Sequence, residues 1–180
     1  MIFKKIKLKG AYIIELERHE DNRGFFSRVL CKKELKKIGF KNELKQINTS
    51  FTKNKGTIRG LHFQYPPKSE IKILKCIRGE IWDVIVDIRK SSKTYGKWYG
   101  LKLTENSQKM IFVPQGFAHG FITLKNNCEV IYFVNEYFSK RHEGIMRWND
   151  TFHKIKWPIK AKILSDKDKL ADDWDMSKAI

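Results

Sequence analysis

Most of the chain consists of short segments in which apolar and polar residues alternate. The clearest is EIWDVIVDIR, residues 80–89, where every second side chain falls on the same face of an extended strand. One face carries Trp82, Val84, Val86 and Ile88, and the other carries Asp83, Ile85 and Asp87. Similar segments rich in β-branched and aromatic residues are KWYGLKLT, KMIFVP, FAHGFITL and CEVIYFVNEYF. The pattern predicts a series of β-strands.

Glycine, proline and asparagine interrupt these segments at short intervals. IRGE, residues 77–80, and LKNN, residues 124–127, are predicted to form hairpin turns. Helix signals are few: CKKELKKIGF predicts one or two turns that stop at Gly39, and SDKDKLADDW predicts a helix with Ser165 as its N-cap. Many short strands with few helices predict an all-β fold, a sandwich or barrel such as a jelly roll, in one domain over residues 1–180.

The composition is that of a folded globular domain. Hydrophobic residues make up 41% of the chain and aromatic residues 13%, which is enough apolar side chain for a sizeable core. The first residues, MIFKKIKLKGAYII, place lysines where a signal peptide needs an apolar stretch, and no run approaches the ~18 apolar residues of a membrane span. We therefore expect a cytoplasmic protein without a membrane partner.

The formal net charge of +17 raises the question of a nucleic-acid partner. Only 8 of the 37 basic residues are arginine, and the lysines alternate with apolar residues along the whole chain, as on the solvent faces of strands. No RNA-recognition or helix-turn-helix signature is present. The sequence favours a solvated lysine-rich surface and no nucleic-acid partner; a second interpretation is that the charge helps to attract a phosphorylated small ligand.

Five polar residues fall within otherwise apolar segments: Arg59, His62, Lys72, His119 and Tyr132. A lone histidine or tyrosine in such a strand is usually a core residue whose polar atoms are satisfied. An arginine or a lysine buried without a partner costs free energy, however. Several such groups together are therefore better explained by a ligand cavity inside a barrel.

Neither the cysteines nor the histidines have the spacing of a metal site. Cys31, Cys76 and Cys128 are far apart and are predicted to be buried, reduced thiols. His62 is followed by FQ, so the His-x-His pair of metal-binding cupins is absent, and only PQGFAH, which ends at His119, matches their second element. Two unrelated histidines without a close carboxylate fall short of the three or four ligands of a divalent ion, and no metal is predicted.

Five motifs in order resemble those of the dTDP-4-dehydrorhamnose 3,5-epimerase family. They are GTIRGLHFQYPP, GEIWDVIVDIRKSSKTYGKW, VPQGFAHGF, YFSKRHEGIMRWND and LSDKD, and the resemblance runs from DNRGFF at Asp21 to Asp168. It implies a cupin-type jelly-roll barrel with a few short peripheral helices. It also implies an enzyme of nucleotide-sugar biosynthesis that needs no cofactor, and a homodimer in which N-terminal residues contribute to the partner's site.

Epimerisation next to a ketone explains the residue types that this resemblance singles out. A base must remove a C–H proton on one face of the sugar, an acid must return a proton on the other face, and positive charge must stabilise the enolate oxygen. Neutral imidazole suits His62 to the base role, and the resemblance makes Asp168 the carboxylate that orients it. It likewise implies that Tyr132 is the acid on the opposite face and that Lys72 lies at the keto oxygen.

The resemblance also implies a set of substrate-binding residues. Arg59 and His119 would bind the pyrophosphate. The nucleotide and the rest of the ligand would be held by Arg23, Gln46, Asn48, Glu143 and Lys167. Phe25 and Phe26 are expected to stack on the base of the nucleotide or to lie in the dimer interface. Asp83 and Asp87 are interpreted as structural carboxylates that pair with Arg89 or another nearby basic residue.

Arg28 stands shortly after RGFF, where the family usually has a glutamate, so a donor replaces an acceptor near the nucleotide base. Both dTDP and GDP nucleotides therefore stay open. The residues are also compatible with inversion at C3, at C5 or at both, with migration of the ketone, and with a hexose or a heptose. We expect a 3,5-epimerase of a nucleotide-linked 4-keto-6-deoxy sugar in surface-polysaccharide biosynthesis; the alternative from another class is a non-catalytic cupin-like module that binds sugar nucleotides.

Overall fold

The computed structural model describes residues 1–180, and strands dominate it. The strands are β1 (Ile2–Lys5), β2 (Tyr12–Glu15), β3 (Arg18–Asp21), β4 (Gly24–Ser27), β5 (Gln46–Thr52), β6 (Ile58–Gln64), β7 (Lys72–Arg78), β8 (Glu80–Asp87), β9 (Trp98–Thr104), β10 (Lys109–Val113), β11 (Phe117–Thr123), β12 (Cys128–Val134) and β13 (Glu143–Ile145). The helices are α1 (Lys32–Leu35) and α2 (Asp166–Lys169), with 3₁₀ turns at Lys36–Ile38, Lys140–His142 and Met176–Lys178. No helix has the length and apolar character needed to cross a membrane.

Two antiparallel sheets pack face to face. One has six strands in the order β1-β2-β10-β7-β12-β5, the other has five in the order β13-β6-β11-β8-β9, and β3 and β4 form a separate hairpin. The facing sides of the sheets share one buried cluster, with Leu74 and Val130 from the first sheet and Ile81, Ile85 and Phe121 from the second. From β5 to β8 the chain crosses from one sheet to the other at every connection. The prediction of an all-β jelly roll is confirmed.

The alternation predicted for residues 80–89 is also confirmed. Ile81 and Ile85 lie between the two sheets. Val84, Val86 and Ile88 face the other way, into a second buried cluster on the outer side of the five-stranded sheet. Aromatic residues of the C-terminal segment, including Trp157 and Trp174, pack against that outer cluster, so β8 is buried on both faces.

The predicted hairpins at 77–80 and 124–127 are wrong. Both stretches reverse the chain, with Gly79 at φ +77° and Asn127 at φ 55°, but neither joins strands that pair with each other. The first connects β7 of the six-stranded sheet to β8 of the five-stranded sheet, and the second connects β11 to β12 across the same gap. Turn residues set where the chain reverses, whereas strand pairing depends on which faces become buried together.

Both helix boundaries that carried a named signal are confirmed. Gly39 ends the first helical segment in the left-handed conformation, at φ +87°. The Ser165 side chain accepts a hydrogen bond from the Asp168 backbone N–H and caps α2. All three cysteines are free, but only Cys76 and Cys128 are buried, and Cys31 is partly exposed because it precedes α1 at the surface.

His153 stands among polar residues in the sequence, yet its side chain is buried. Its Nδ1 lies 2.7 Å from Asp150 Oδ1, and Asp150 Oδ2 accepts a hydrogen bond of 2.6 Å from the Trp174 backbone N–H. Burial lowers the pKa of His153, and the opposing effect of the Asp150 carboxylate does not outweigh it. The pair therefore fastens the C-terminal segment to the outer face of the five-stranded sheet with a neutral imidazole.

Candidate active site

The five polar residues singled out within apolar segments converge on one cavity between the two sheets. Arg59 and His62 come from β6, His119 from β11, Lys72 from β7 and Tyr132 from β12. The remaining lining residues are Ser50, Leu74 and Phe121. Because β6 and β11 belong to one sheet and β7 and β12 to the other, the two histidines face the lysine and the tyrosine across the cavity.

An irregularity in β6 brings Arg59 and His62 to the same face. Residues three apart in a regular strand point to opposite faces. Here the register against β11 shifts, with His62 opposite His119 but Arg59 opposite Phe121, so two residues of β6 stand against Gly120 alone. Gly60 has φ +121°, and a Cβ on it would lie 2.6 Å from the Gly120 Cα. The bulge therefore depends on glycine in both strands.

His62 is paired with a buried carboxylate from α2. Its Nε2 lies 2.7 Å from Asp168 Oδ1, and the second Asp168 oxygen accepts the Gly60 N–H at 3.4 Å. Burial acts to raise the pKa of Asp168, but the hydrogen bonds that this carboxylate accepts from His62, Ser165 and Gly60 outweigh burial and hold the pKa below its ordinary value. An ionised carboxylate can only accept, so Nε2 carries the ring proton and Nδ1 keeps the lone pair that a base needs.

Across the cavity, Lys72 and Tyr132 are accompanied by a carboxylate that the sequence analysis missed. Glu70 Oε1 lies 2.9 Å from Lys72 Nζ, and the two side chains are 14% and 13% exposed. Burial raises the pKa of Tyr132, the negative charge of Glu70 raises it further, and Arg59 acts in the opposite direction. Tyr132 is therefore held as a neutral phenol, the form that can donate a proton.

His119 is paired with Asp83, the second carboxylate that was missed as a site residue. The His119 Nε2 lies 2.8 Å from Asp83 Oδ2, and Asp83 is fully buried. Asp83 had been interpreted as the partner of Arg89 or another basic residue; its partner is this histidine. Asp87 does pair with Arg89, at 2.7 Å, so its interpretation as a structural carboxylate is consistent with the structure.

Arg59 differs from the other basic residues of the cavity because no carboxylate pairs with it. Its Nε donates to Thr52 Oγ1 at 2.9 Å, and a terminal nitrogen donates to the Phe51 carbonyl at 3.0 Å. Both acceptors are neutral, so they orient the guanidinium and leave its charge uncompensated. An arginine held in this way is suited to an anionic ligand such as a phosphate group.

The cavity continues outwards past His62, Lys72 and Tyr132. Its outer part is lined by Gln46, Asn48, Phe63, Gln64, Glu70, Val134, Phe138 and Glu143. Glu143 forms an ion pair with Lys167, which lies just beyond the lining. Gln46 and Asn48 alternate along β5 on the side that faces the cavity, as the sequence-based assignment of both to ligand binding requires.

Comparison with known proteins decides which family this architecture and this cavity belong to. The model of the family described as dTDP-4-dehydrorhamnose 3,5-epimerase matches residues 5–175. The chain belongs to this family. It is 40% identical over 165 residues to the dTDP-4-dehydrorhamnose 3,5-epimerase of Shigella flexneri, a match that covers 91% of each chain.

Solved structures of the family share the whole fold. The dTDP-4-dehydrorhamnose 3,5-epimerase of Elizabethkingia anophelis superposes with a TM-score of 0.94 at 36% identity, over 100% of this chain and 99% of that one. The enzyme of Bacillus anthracis, solved with TDP and PPi bound, gives a TM-score of 0.90 at 40% identity, over 96% of this chain and 100% of that one. The cupin-type jelly roll and the assignment to the epimerases, a class of isomerases, are thereby confirmed.

Arg23 and Arg28, which the sequence places near the nucleotide, lie outside the cavity of their own chain. Arg23 stands at the tip of the β3–β4 hairpin, 85% exposed, and pairs with Asp21 at 2.5 Å. Arg28 follows the hairpin and pairs with Glu34 at 3.5 Å. The structure of one epimerase chain therefore assembles every assigned site residue at or beside the cavity except Arg23.

The missed carboxylates carried a signal in the sequence. Alternation in EIKIL places Glu70, Lys72 and Leu74 on one face, and alternation in WDVIV places Asp83 with Ile85 on the inner face of β8. Both patterns put a carboxylate on the side of the strand that faces the cavity. The basic partner that makes each carboxylate relevant, however, is identified only by the three-dimensional contact.

Proposed function

We propose that the chain is a cofactor-independent 3,5-epimerase of a dTDP-linked 4-keto-6-deoxy sugar, with His62 as the base and Tyr132 as the acid. The observation that carries the proposal is the arrangement of these two groups. The His62–Asp168 pair and the Tyr132 phenol line one cavity from opposite sheets. A sugar ring between them would present one face to a proton acceptor and the other to a proton donor.

The reaction is a pair of proton transfers at each carbon. His62 takes the proton from the carbon next to the ketone, and the electron pair of the broken C–H bond moves to the keto oxygen and forms an enolate. The Lys72 ammonium stabilises that oxygen. Tyr132 then gives its proton to the carbon on the opposite face as the enolate electrons return, and solvent restores the protonation states of both residues.

The charges of the cavity support a substrate in which the sugar is linked to a nucleoside diphosphate. Arg59 carries the uncompensated positive charge beside His119, where we place the pyrophosphate. The Bacillus anthracis relative was solved with TDP and PPi bound, which supports the same ligand class here. Gln46, Asn48, Glu143 and Lys167 then hold the rest of the ligand from the outer part of the cavity.

A homodimer is part of the proposal because one chain leaves a suitable surface uncovered. Phe25 and Phe26 of the β3–β4 hairpin are 55% and 64% exposed, and Ile47 and Phe51 on the outer side of β5 are 61% and 49% exposed. Apolar side chains so exposed are candidates for burial against a second copy. In such a dimer Arg23 would reach the partner's nucleotide site. A cytoplasmic location and a role in surface-polysaccharide biosynthesis stay predictions.

Deuterium exchange tests the proposal directly. The protein is incubated in deuterated water with a dTDP-linked and, separately, a GDP-linked 4-keto-6-deoxy sugar, and NMR follows deuterium at C3 and C5 together with the configuration of each carbon. We expect incorporation and inversion at both carbons with the dTDP sugar. Exchange at one carbon alone would identify a single-site epimerase, and faster turnover of the GDP sugar would assign the other nucleotide. Absence of exchange with either sugar would leave the non-catalytic module as the better interpretation.

A further inference from the structure

Glu70 has no assigned part in the reaction, yet it lies in the cavity beside two groups that have one. It belongs to the loop between β6 and β7, two residues before Lys72, and it lines the outer cavity together with Lys72 and Tyr132. Its only ion-pair partner is Lys72, at 2.9 Å, and both side chains are largely withdrawn from solvent. An ionised carboxylate that is withdrawn from water costs free energy unless a positive charge compensates it. The contact with Lys72 supplies that charge and so defines the position of the Glu70 carboxylate.

The backbone on both sides of Glu70 is fixed by side chains from other elements. The Ile71 N–H donates to Asn135 Oδ1 at 2.6 Å, and Gln115 Nε2 donates to the Ser69 carbonyl at 2.8 Å. Ser69 Oγ in turn donates to the Gln64 carbonyl at 3.2 Å. The loop therefore holds the backbone of Glu70 in a defined position. A residue that orients another side chain needs such a fixed position.

We propose that Glu70 is a positioning residue for the epimerisation. Its carboxylate holds the Lys72 ammonium next to the position that the keto oxygen of the sugar occupies. The inference rests on the proposed function. An ammonium group has three N–H donors, and the contact with Glu70 occupies one of them. The other two remain for the developing enolate oxygen, which receives a donor whose direction is already set before the substrate binds.

Glu70 also acts on the proton donor. Six charged or titratable side chains line the cavity around Tyr132. They are Glu70 in the loop before β7, Lys72 at the first position of β7, Arg59 and His62 on β6, His119 on β11, and Glu143 on β13. Next to burial, the Glu70 charge is the largest contribution that raises the pKa of Tyr132. Removal of that charge leaves Lys72 and Arg59 to favour the phenolate, so Tyr132 would lose its proton at a lower pH.

The test is Glu70→Gln, which keeps the shape of the side chain and removes its charge. Glu80→Gln is the matched control, because Glu80 pairs with Lys102 at 2.8 Å on the far side of β8 and is similarly buried, but it does not line the cavity. With the dTDP sugar we expect kcat of Glu70→Gln to fall about tenfold while KM changes less than twofold. The alkaline limb of its kcat profile should move to lower pH.

A spectroscopic titration separates positioning from a structural role. The ionisation of Tyr132 is followed by phenolate absorbance, as the difference between each protein and its Tyr132→Phe counterpart. We expect this phenol to ionise at lower pH in Glu70→Gln and at an unchanged pH in Glu80→Gln. The proposal is overturned if Glu70→Gln matches Glu80→Gln in kcat and in both pH profiles, or if kcat falls only with a parallel rise of KM and a loss of thermal stability. Failure of the proposed function itself would be seen separately, as absence of exchange in the unsubstituted protein.

Discussion

At the scale of single residues, the proposed base and the proposed acid come from different sheets and have different partners. His62 on β6 is paired with Asp168, whereas Tyr132 on β12 is kept neutral by burial and by Glu70. A variant that lacks His62 and a variant that lacks Tyr132 should therefore lose different steps of the reaction. The base is needed for the C–H bond to break at all, and the acid decides on which face the new C–H bond forms.

Tyr132→Phe should still exchange substrate protons for deuterium but give little inverted product. With His62 present the enolate forms and is reprotonated from the same face, so exchange proceeds with retention. His62→Asn should lose both exchange and inversion, by about 10² to 10⁴ in rate. NMR in deuterated water gives the ratio of exchange to inversion for each protein.

Tyr95→Phe is the matched control for the loss of one hydroxyl group. Tyr95 accepts a hydrogen bond from Trp174 Nε1 at 2.9 Å and does not line the cavity. Its replacement should leave the ratio of exchange to inversion unchanged. Inversion of both carbons by Tyr132→Phe at a nearly unchanged rate would mean that another group is the acid.

At the scale of elements, the bulge in β6 determines whether Arg59 and His62 share the cavity. The two strands approach so closely that a Cβ on Gly120 would lie 2.7 Å from the Arg59 carbonyl oxygen. That neighbour is backbone and cannot turn aside. Close packing at Gly120 thus links a residue without a side chain to the position of His62, the proposed base.

Gly120→Ala should separate β6 from β11, lower the free energy of unfolding by about 1 to 3 kcal/mol and reduce kcat. Gly39→Ala is the control, because Gly39 has φ +87° but open space around it, so only conformational strain is introduced. Denaturant unfolding measures stability for both variants, and the exchange assay measures activity. An active Gly120→Ala protein with unchanged stability would show that the bulge tolerates a side chain.

At the scale of the whole molecule, the proposed homodimer places Arg23 in the partner's site, and subunit mixing can test this. Arg23→Ala and His62→Asn should each be weakly active alone. When the two are co-expressed, half of the dimers are mixed, and in each mixed dimer one site combines an intact His62 with an intact Arg23. We expect the mixture to regain up to about a quarter of the unsubstituted activity.

The solution mass provides the companion measurement. Analytical ultracentrifugation should give twice the 21.4 kDa of one chain. The double variant Ile47→Lys with Phe51→Lys places charge on the exposed apolar side of β5 and should favour the monomer. Phe152→Lys is a control, since Phe152 is similarly exposed but far along the chain from β5. A monomeric unsubstituted protein, or a mixture no more active than its two components, would contradict the shared site.

Acid should weaken the fold in two stages because two kinds of buried group have lowered pKa values. The pKa of His153 is lowered by burial, so the stability it contributes is complete above its unfolded value near 6.5 and is lost as pH falls below it. The pKa of Asp168 is lowered against burial by its partners, so its contribution is lost only as pH falls below its unfolded value near 3.8. Denaturant unfolding at pH 7.5 and 5.5 should show the first loss, and His153→Gln should show less of it than His19→Gln, whose imidazole is exposed.

Much of this molecule could be predicted from the sequence because the information is local. Alternation in EIWDVIVDIR assigned both faces of β8 correctly, since side chains alternate in any extended strand. Gly39 and Ser165 marked helix ends through the conformation and the hydrogen bond that a single residue supplies. Polar residues in apolar strands indicated a cavity because burial of unpaired charge is costly, and five motifs in order indicated the family.

Only the tertiary structure decided which strands pair and which charges meet. The turns at Gly79 and Asn127 read as hairpins, but packing of the two sheets sends each following strand across the gap. Arg59 and His62 should point to opposite faces, and they share the cavity only because Gly60 and Gly120 let two strands approach closely. The partners Asp83 and Glu70 were likewise hidden, because the stability of a buried charge depends on a contact in space, and separation along the chain does not specify that contact.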